Sequence, residues 1–393
     1  LPDNYINSIA IDASGNKWVG TDSGLAKFDG TNWMVYKTSN SGLPCNHVHS
    51  IAIDASGNKW IGTGYDTSGG LAKFDGINWT VYNTSNSYLP SNYINPIAID
   101  GSGNKWMGTG SGLVEFGGTK WKVYDTTNSG LPRYSISSIA IDDSGNKWIG
   151  FYGGGGLIKF DGSNWIKYSV PCNGWVLSIA IDSIGNKWIG MYICGLGKFD
   201  GINWKVYNDT NSDLPSRDVE SIAIDANGNK WVGTYGGGLA KLHEPNWTVY
   251  DTANSGLPDN HVWSAIAIDA GGNKWIGTDG GGLAVFTGGS AIKDFKVSQA
   301  PMTNNFFLHI PMPFRGTASI SYSVMEKGNV CLAVYSLAGK RIKMLINETK
   351  SAGKYAISWD GKDDAGHPLT AGVYIYDFSC GKTKVSEKMN LVR

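Results

Sequence analysis

The chain is expected to be all-β: a seven-bladed β-propeller over residues 1–297 followed by a small immunoglobulin-like β-sandwich over 298–393. Three observations predict this. Gly-Asn-Lys-Trp recurs seven times at a period in the low forties, turn-forming and aromatic residues are abundant, and the repeat stops after Pro301. The tryptophans of the repeat, Trp18, Trp60, Trp106, Trp148, Trp188, Trp231 and Trp275, are spaced by 42, 46, 42, 40, 43 and 44 residues. Such a period marks four-stranded propeller units, because paired-helix repeats need long amphipathic stretches and none occurs. With 54 Gly, 16 Trp and 19 Tyr, the composition suits many short strands joined by tight turns.

The second unit serves as template. "HVHSIAID" alternates and then runs apolar, as a crowded inner strand does, with Ala52 where room near the axis is short. In "DASGN", Asp54 can cap backbone amides and Gly57 can take a positive φ. "KWIGT" is the second strand, "GLAKFDG" the third and "INWTVYN" the outermost, where Trp79 and Tyr82 cover the blade edge. Trp60 stands between a turn glycine and a strand-exit glycine, a place for a flat ring that fills the wedge between twisted neighbouring sheets. Because this tryptophan and its flanking Asp and Lys never vary around the repeat, their expected role is structural. The seventh unit reaches "GGLAVF" without a W-x-V-Y strand. "AIKDFKV", Ala291 to Val297, is a candidate outer strand, the alternatives being a strand upstream of Leu1 or one from another molecule.

After Pro301, "TASISYSV", "NVCLAVYSLAG", "KRIKMLI", "GKYAISWDG", "GVYIYDFSCG" and "KVSEKMNLVR" read as the six or seven strands of a small sandwich.

The repeated "IAIDASGNKWIGT…GGLAKFDG" resembles the two-component regulator propeller repeat, and "DASGNKW" is similar to an Asp box, a structural hairpin. The resemblance covers roughly residues 1 to 290 and implies an extracytoplasmic propeller scaffold; propellers host many unrelated activities. The last ninety or so residues, through "PMPF", "VYSLAGKRI", "WDGKDDAGHPLTAGVYIY" and "KMNLVR", resemble the carboxy-terminal sorting domain of type IX secretion cargo, related to the Ig-like domain of flagellar hook-capping proteins. Met312 stands where that family carries Asn in a P-N-P motif. This resemblance implies an exported bacterial protein, extracellular or on the cell surface, with the type IX export machinery as a partner.

Lys plus Arg and Asp plus Glu cancel at 33 each, without a basic cluster, so nucleic acid is not an expected partner. No apolar run approaches the eighteen or so residues that span a bilayer, and no signal peptide opens the sequence, so any export signal is expected to have been removed. The cysteines Cys45, Cys172, Cys194, Cys331 and Cys380 form no CxxC pair and are odd in number. They predict neither a disulfide framework nor a zinc site, only small buried side chains.

The residues that vary lie where each inner strand begins, and in a closed propeller these converge around one mouth of the channel. Tyr5, His47, Tyr93, Tyr134, Trp175, Arg217, Asp218 and His261 are candidate ligand-binding residues there, with His49, Glu220 and Trp263 two positions further on. Rings mixed with amides and an acidic pair suit a sugar, whose apolar face stacks while its hydroxyls take directional hydrogen bonds. The alternative is that these side chains plug the channel and satisfy one another. No carboxylate stands beside His47 or His49 in sequence, and blade geometry is expected to separate them from His261, so neither metal nor other cofactor is expected.

Three function classes follow. The first is a secreted, non-enzymatic module that binds a glycan or a surface protein. The second is a polysaccharide or streptogramin-type lyase, whose blades are similarly glycine-rich, with His47 or His261 as base and Arg217 as charge neutraliser. The third is a structural surface or filament subunit, self-associating through the seventh blade or the C-terminal domain.

Overall fold

The computed structural model describes residues 1–65, 68–133, 135–263, 265–288, 292–295, 306–309, 314–315, 317–324, 327–380 and 383–392. The chain divides into two units, Leu1–Val297 and Ser298–Arg393. Met312 and Tyr134 lie outside the described residues.

The first unit is built of seven four-stranded antiparallel sheets, here sheets 1 to 7, over residues 6–36, 48–82, 94–124, 136–168, 176–207, 219–250 and 266–295. The template reading matches the second sheet: Val48–Ile53, Lys59–Tyr65, Ser68–Phe74 and Trp79–Tyr82. In sheet 7 the fourth strand is Ile292–Phe295, paired with Leu283–Phe286, so this chain itself supplies the outer strand.

Each residue of the repeated motif has a separable physical task. Asp12 accepts the amides of Ser14 and Asn16 at 3.0 Å and, with Gly15 at φ +79°, shapes the hairpin between the first two strands. The same aspartate accepts the indole N–H of Trp18. This bond, 2.8–3.0 Å long, recurs in all seven sheets. The lysine crosses to the preceding sheet: Lys59 Nζ lies 4.8 Å from the centre of the Trp18 ring and 3.9 Å from Asp12. Around the ring this lysine-over-tryptophan contact spans 4.4–4.8 Å at every junction, including Lys17 over Trp275 between the first and last sheets. Sheltered cation–π contacts of this kind are each worth about 1–2 kcal/mol.

The glycine two residues after each tryptophan allows close approach. A Cβ on Gly62 would meet the Ile94 carbonyl oxygen at 2.5 Å, and one on Gly277 would meet Ile6 Cγ2 at 2.6 Å. That second contact, with Ile6 N–H donating to the Thr278 carbonyl at 3.3 Å, closes the ring. The tryptophans fill the wedge as expected. Trp18 stacks on Tyr36 at 5.8 Å and meets Phe74 of sheet 2 edge-on at 5.9 Å, while Trp79 covers Phe74 at 4.5 Å.

The second unit packs a three-stranded sheet (306–309, 318–324, 353–359) and a five-stranded sheet (314–315, 328–335, 341–350, 372–380, 383–392). Ile320, Tyr322, Leu332, Val334, Trp359 and Phe378 are in its core, and Trp359 Nε1 donates to the Lys362 carbonyl at 2.9 Å. The strands Phe306–His309 and Phe314–Arg315 were not read from the sequence; the second pairs in parallel with the last strand.

The latch aspartates respond to pH in a defined direction. Burial raises the pKa of Asp225, but hydrogen bonds from Trp231 and Asn229 and the charge of Lys274 outweigh it and bring it down to about 2. The other six are lowered in the same way, by the indole and asparagine bonds acting against burial. A carboxyl held below its unfolded value contributes stability that is complete above that value, near 3.8, and lost as pH falls through the folded value. Urea unfolding between pH 5 and pH 2 is therefore expected to show a steep acid loss. Asp225→Asn should flatten part of it and cost about 1–3 kcal/mol at neutral pH.

Candidate ligand-binding site

The entrances to the seven inner strands lie at the same end of the sheets as the hairpins between second and third strands, and backbone bonds tie the two together. Tyr152 N–H donates to Ser135, Tyr192 to Trp175, Tyr235 to Asp218 and Asp279 to His261, each at 3.0 Å. Each sheet thus offers two variable positions to the mouth. The second set, Asp22, Gly64, Gly110, Tyr152, Tyr192, Tyr235 and Asp279, was missed in the sequence. Its signal is the residue after each K-W-x-G-x strand, which varies while the strand does not.

The mouth has two halves of different character. On sheets 1 to 3 the polar groups satisfy one another. His49 Nε2–H donates to the Gly64 carbonyl at 2.7 Å and lies 3.2 Å from His47 Nδ1, while His47 Nε2 is 3.0 Å from Asp22. Asp22 also accepts Asn7 Nδ2 at 2.7 Å, and Tyr93 packs 4.7 Å from the His49 ring. Burial lowers the His49 pKa against the pull of the Gly64 carbonyl, which favours the neutral imidazole at that residue. A carboxylate absent beside His47 and His49 in sequence is thus delivered from sheet 1, whereas His261 has Asp259 3.9 Å from its Nδ1. Among the described residues no group of three or more His, Cys, Asp or Glu has the arrangement to hold a metal.

On sheets 4 to 7 the rings are open. Tyr152, Trp175, Tyr192, Tyr235 and Trp263 are 39%, 42%, 39%, 46% and 42% exposed. Trp175 stacks on Tyr192 at 5.1 Å and meets Tyr152 edge-on at 6.2 Å, while His261 lies flat on Tyr235 at 4.2 Å. Asp218 accepts the Ile193 amide at 2.6 Å. Glu220 accepts no hydrogen bond among the described residues, and burial, then the charge of Asp218, push its pKa up to about 7. Burial, then Tyr93 and Glu220, push Tyr152 up to about 12, so this tyrosine from sheet 4 senses groups on sheets 3 and 6.

Arg217 has a different place from its sequence neighbours in the candidate set. In sheets 2, 3 and 7 its position is an asparagine, Asn46, Asn92 or Asn260, that accepts a loop amide at 2.8–2.9 Å; Arg217 instead pairs with Asp209 of the same crossing loop. Tyr5 is exposed and its backbone bridges to Asp279, across the closure.

The structure corrects the reading of the cysteines. Cys172, before the sheet 5 inner strand, is disulfide-bonded to Cys194 in the hairpin beyond Tyr192. A separation of 22 residues gives no motif; strand pairing within the sheet brings the two together. Cys380 is buried as expected, whereas Cys45 and Cys331 are only half-buried. The three positive-φ residues other than glycine among the described residues, Cys172, Asn173 and Ile193 at 51°, 52° and 57°, all lie at this bridge. Left-handed conformations cost such residues energy and concentrate at functional sites.

Comparison with known proteins supports the fold. The FlgD Ig-like domain family matches residues 315–383. The extracellular domain of a protein described as a hybrid two-component system of B. thetaiotaomicron is 19% identical with a TM-score of 0.64, over 100% of this chain and 56% of that one. PorZ, a surface component of the type-IX secretion system of Porphyromonas gingivalis, is 17% identical with a TM-score of 0.60, over 100% of this chain and 60% of that one. Virginiamycin B lyase from Staphylococcus aureus is 12% identical with a TM-score of 0.59, over 72% of this chain and 94% of that one. The chain thus spans less than two thirds of the first two proteins, and at these identities the likeness is one of fold. No curated protein sequence matches the chain. Among the described residues no helix is long and apolar enough to cross a membrane.

Two outcomes are expected. Glu220 titrates above its unfolded value of 4.5, so its contribution to stability is complete below that value and is lost as pH rises toward about 7. Urea unfolding at pH 5 and pH 8 should show this loss in the wild type and not in Glu220→Gln. Replacing Cys172 and Cys194 by Ser should lower stability by about 2–4 kcal/mol, read by thermal and urea unfolding.

Proposed function

We propose that the chain is an exported, non-enzymatic propeller that binds a saccharide at the open half of the channel mouth. The observation that carries this reading is the arc of exposed rings on sheets 4 to 7, beside carboxylates able to accept hydroxyl groups. Flat rings with accessible faces match the apolar face of a pyranose. Tyr152, Trp175, Tyr192, Tyr235, Trp263, Asp218 and Glu220 form the contact set, while His47 and His49 act as its packed wall and Tyr93 stands exposed at its edge. The FlgD Ig-like match, and the likeness to a surface component of the type-IX secretion system, support a C-terminal domain that serves type IX export. A disulfide fits an oxidising, extracellular setting.

Titration of the full chain with neutral, acidic and amino oligosaccharides should give a saturable change in tryptophan fluorescence without product. Trp175→Ala should weaken binding about tenfold or more, the scale of one lost stacking platform. Time-dependent appearance of an unsaturated product would replace the binding reading with the lyase one. No response to any saccharide would remove the glycan reading.

A further inference from the structure

The open half of the mouth has a charge signature as well as ring faces. A chain of contacts outlines one patch. Tyr152 meets Trp175 edge-on, and Glu220 stands at the same mouth, two residues beyond Asp218 at the start of the sheet 6 inner strand, where its charge acts on Tyr152. Trp175 stacks on Tyr192, the next residue Ile193 donates its amide to Asp218, and Asp218 acts on Glu220. Both charged groups in this patch are acidic. Asp218 is already engaged by the Ile193 amide, whereas the Glu220 carboxyl has no hydrogen-bond donor among the described residues. The neighbouring cation Arg217 is paired with Asp209.

We propose that this patch is a subsite for a saccharide bearing a free amine, its ring face on Trp175 and Tyr192 and its ammonium against Glu220 beside Tyr152. The inference rests on the glycan reading and adds the charge of the sugar. Burial without a donor disfavours the ionised Glu220 carboxyl, and an ammonium beside it stabilises the carboxylate through a charge-assisted hydrogen bond. The same cation is attracted by the negative faces of the surrounding rings. A uronate or sulfated sugar would meet like charge at Asp218 and Glu220, and N-acetylation would remove the cation altogether. Glu220 is thereby the specificity-determining residue, and the ring pair supplies affinity shared by all sugars of that shape.

The test is calorimetric titration of the full chain at neutral pH with three probes of equal length: glucosamine, N-acetylglucosamine and galacturonate oligomers. The wild type is expected to bind the glucosamine oligomer about tenfold or more tighter than the N-acetylated one, the scale of a charge-assisted hydrogen bond, and the galacturonate oligomer more weakly still. Glu220→Gln should abolish the preference, so that the two affinities become equal within about twofold, while Trp175→Ala weakens both and keeps the preference. Equal or inverted preference in the wild type would overturn the proposal without any variant, and so would a tenfold gap that survives in Glu220→Gln. Binding without amine preference leaves the glycan reading standing; binding of no oligomer removes both.

Discussion

The propeller depends on one contact made seven times: a buried aspartate that holds an indole N–H in its own sheet while a lysine from the next sheet lies over that indole. The aspartate couples turn, strand and wedge in a single side chain, and the lysine makes the junction between sheets electrostatic as well as apolar. A buried charge without a partner is expensive, so removing one member leaves the others worse than unpaired. This explains why aspartate, asparagine, lysine and tryptophan recur together: each is satisfied only by the rest. The glycine that follows lets the next sheet's inner strand approach the second strand closely.

This division of labour frees the other end of each sheet. The turn-bearing end is fixed by the latch, whereas the mouth is held by backbone bonds between strand entrances and hairpins, which place no demand on the side chains there. Side chains at the mouth are thus free to diversify. On sheets 1 to 3 they have settled into a self-satisfied network around His47, His49 and Asp22. On sheets 4 to 7 they leave rings open, and the disulfide with its left-handed residues gathers beside the stacked pair Trp175 and Tyr192.

Much of this was legible in the sequence, for physical reasons that also mark where legibility stops. Strand order and turn chemistry are local, so the unit "HVHSIAID" to "INWTVYN" was read nearly as it folds. The roles of Lys59 and Asp22 were not, because both act across a junction between sheets that no local pattern reveals. Cys172 and Cys194 are joined by strand pairing over 22 residues, a distance at which cysteine spacing has no signature. In the mouth, the inner-strand entrances were found because they vary against a constant background. Tyr152, Tyr192 and Tyr235 vary in the same way, one residue beyond a motif whose constancy drew the eye inward.

The lysine-over-tryptophan contact between the first and last sheets has a consequence for how such a ring comes to exist. Each repeat carries both halves of the same junction, a lysine face on one side and a tryptophan face on the other, so a unit is complementary to a copy of itself head to tail. An interface of that kind either closes after a fixed number of steps or runs on as an open spiral. Here the step angle closes it at the seventh copy, with Lys17 meeting Trp275 as Lys59 meets Trp18. The seam therefore carries the same lysine-over-tryptophan contact as the other junctions. The first unit thus has the head-to-tail symmetry of a ring of subunits written into one polypeptide.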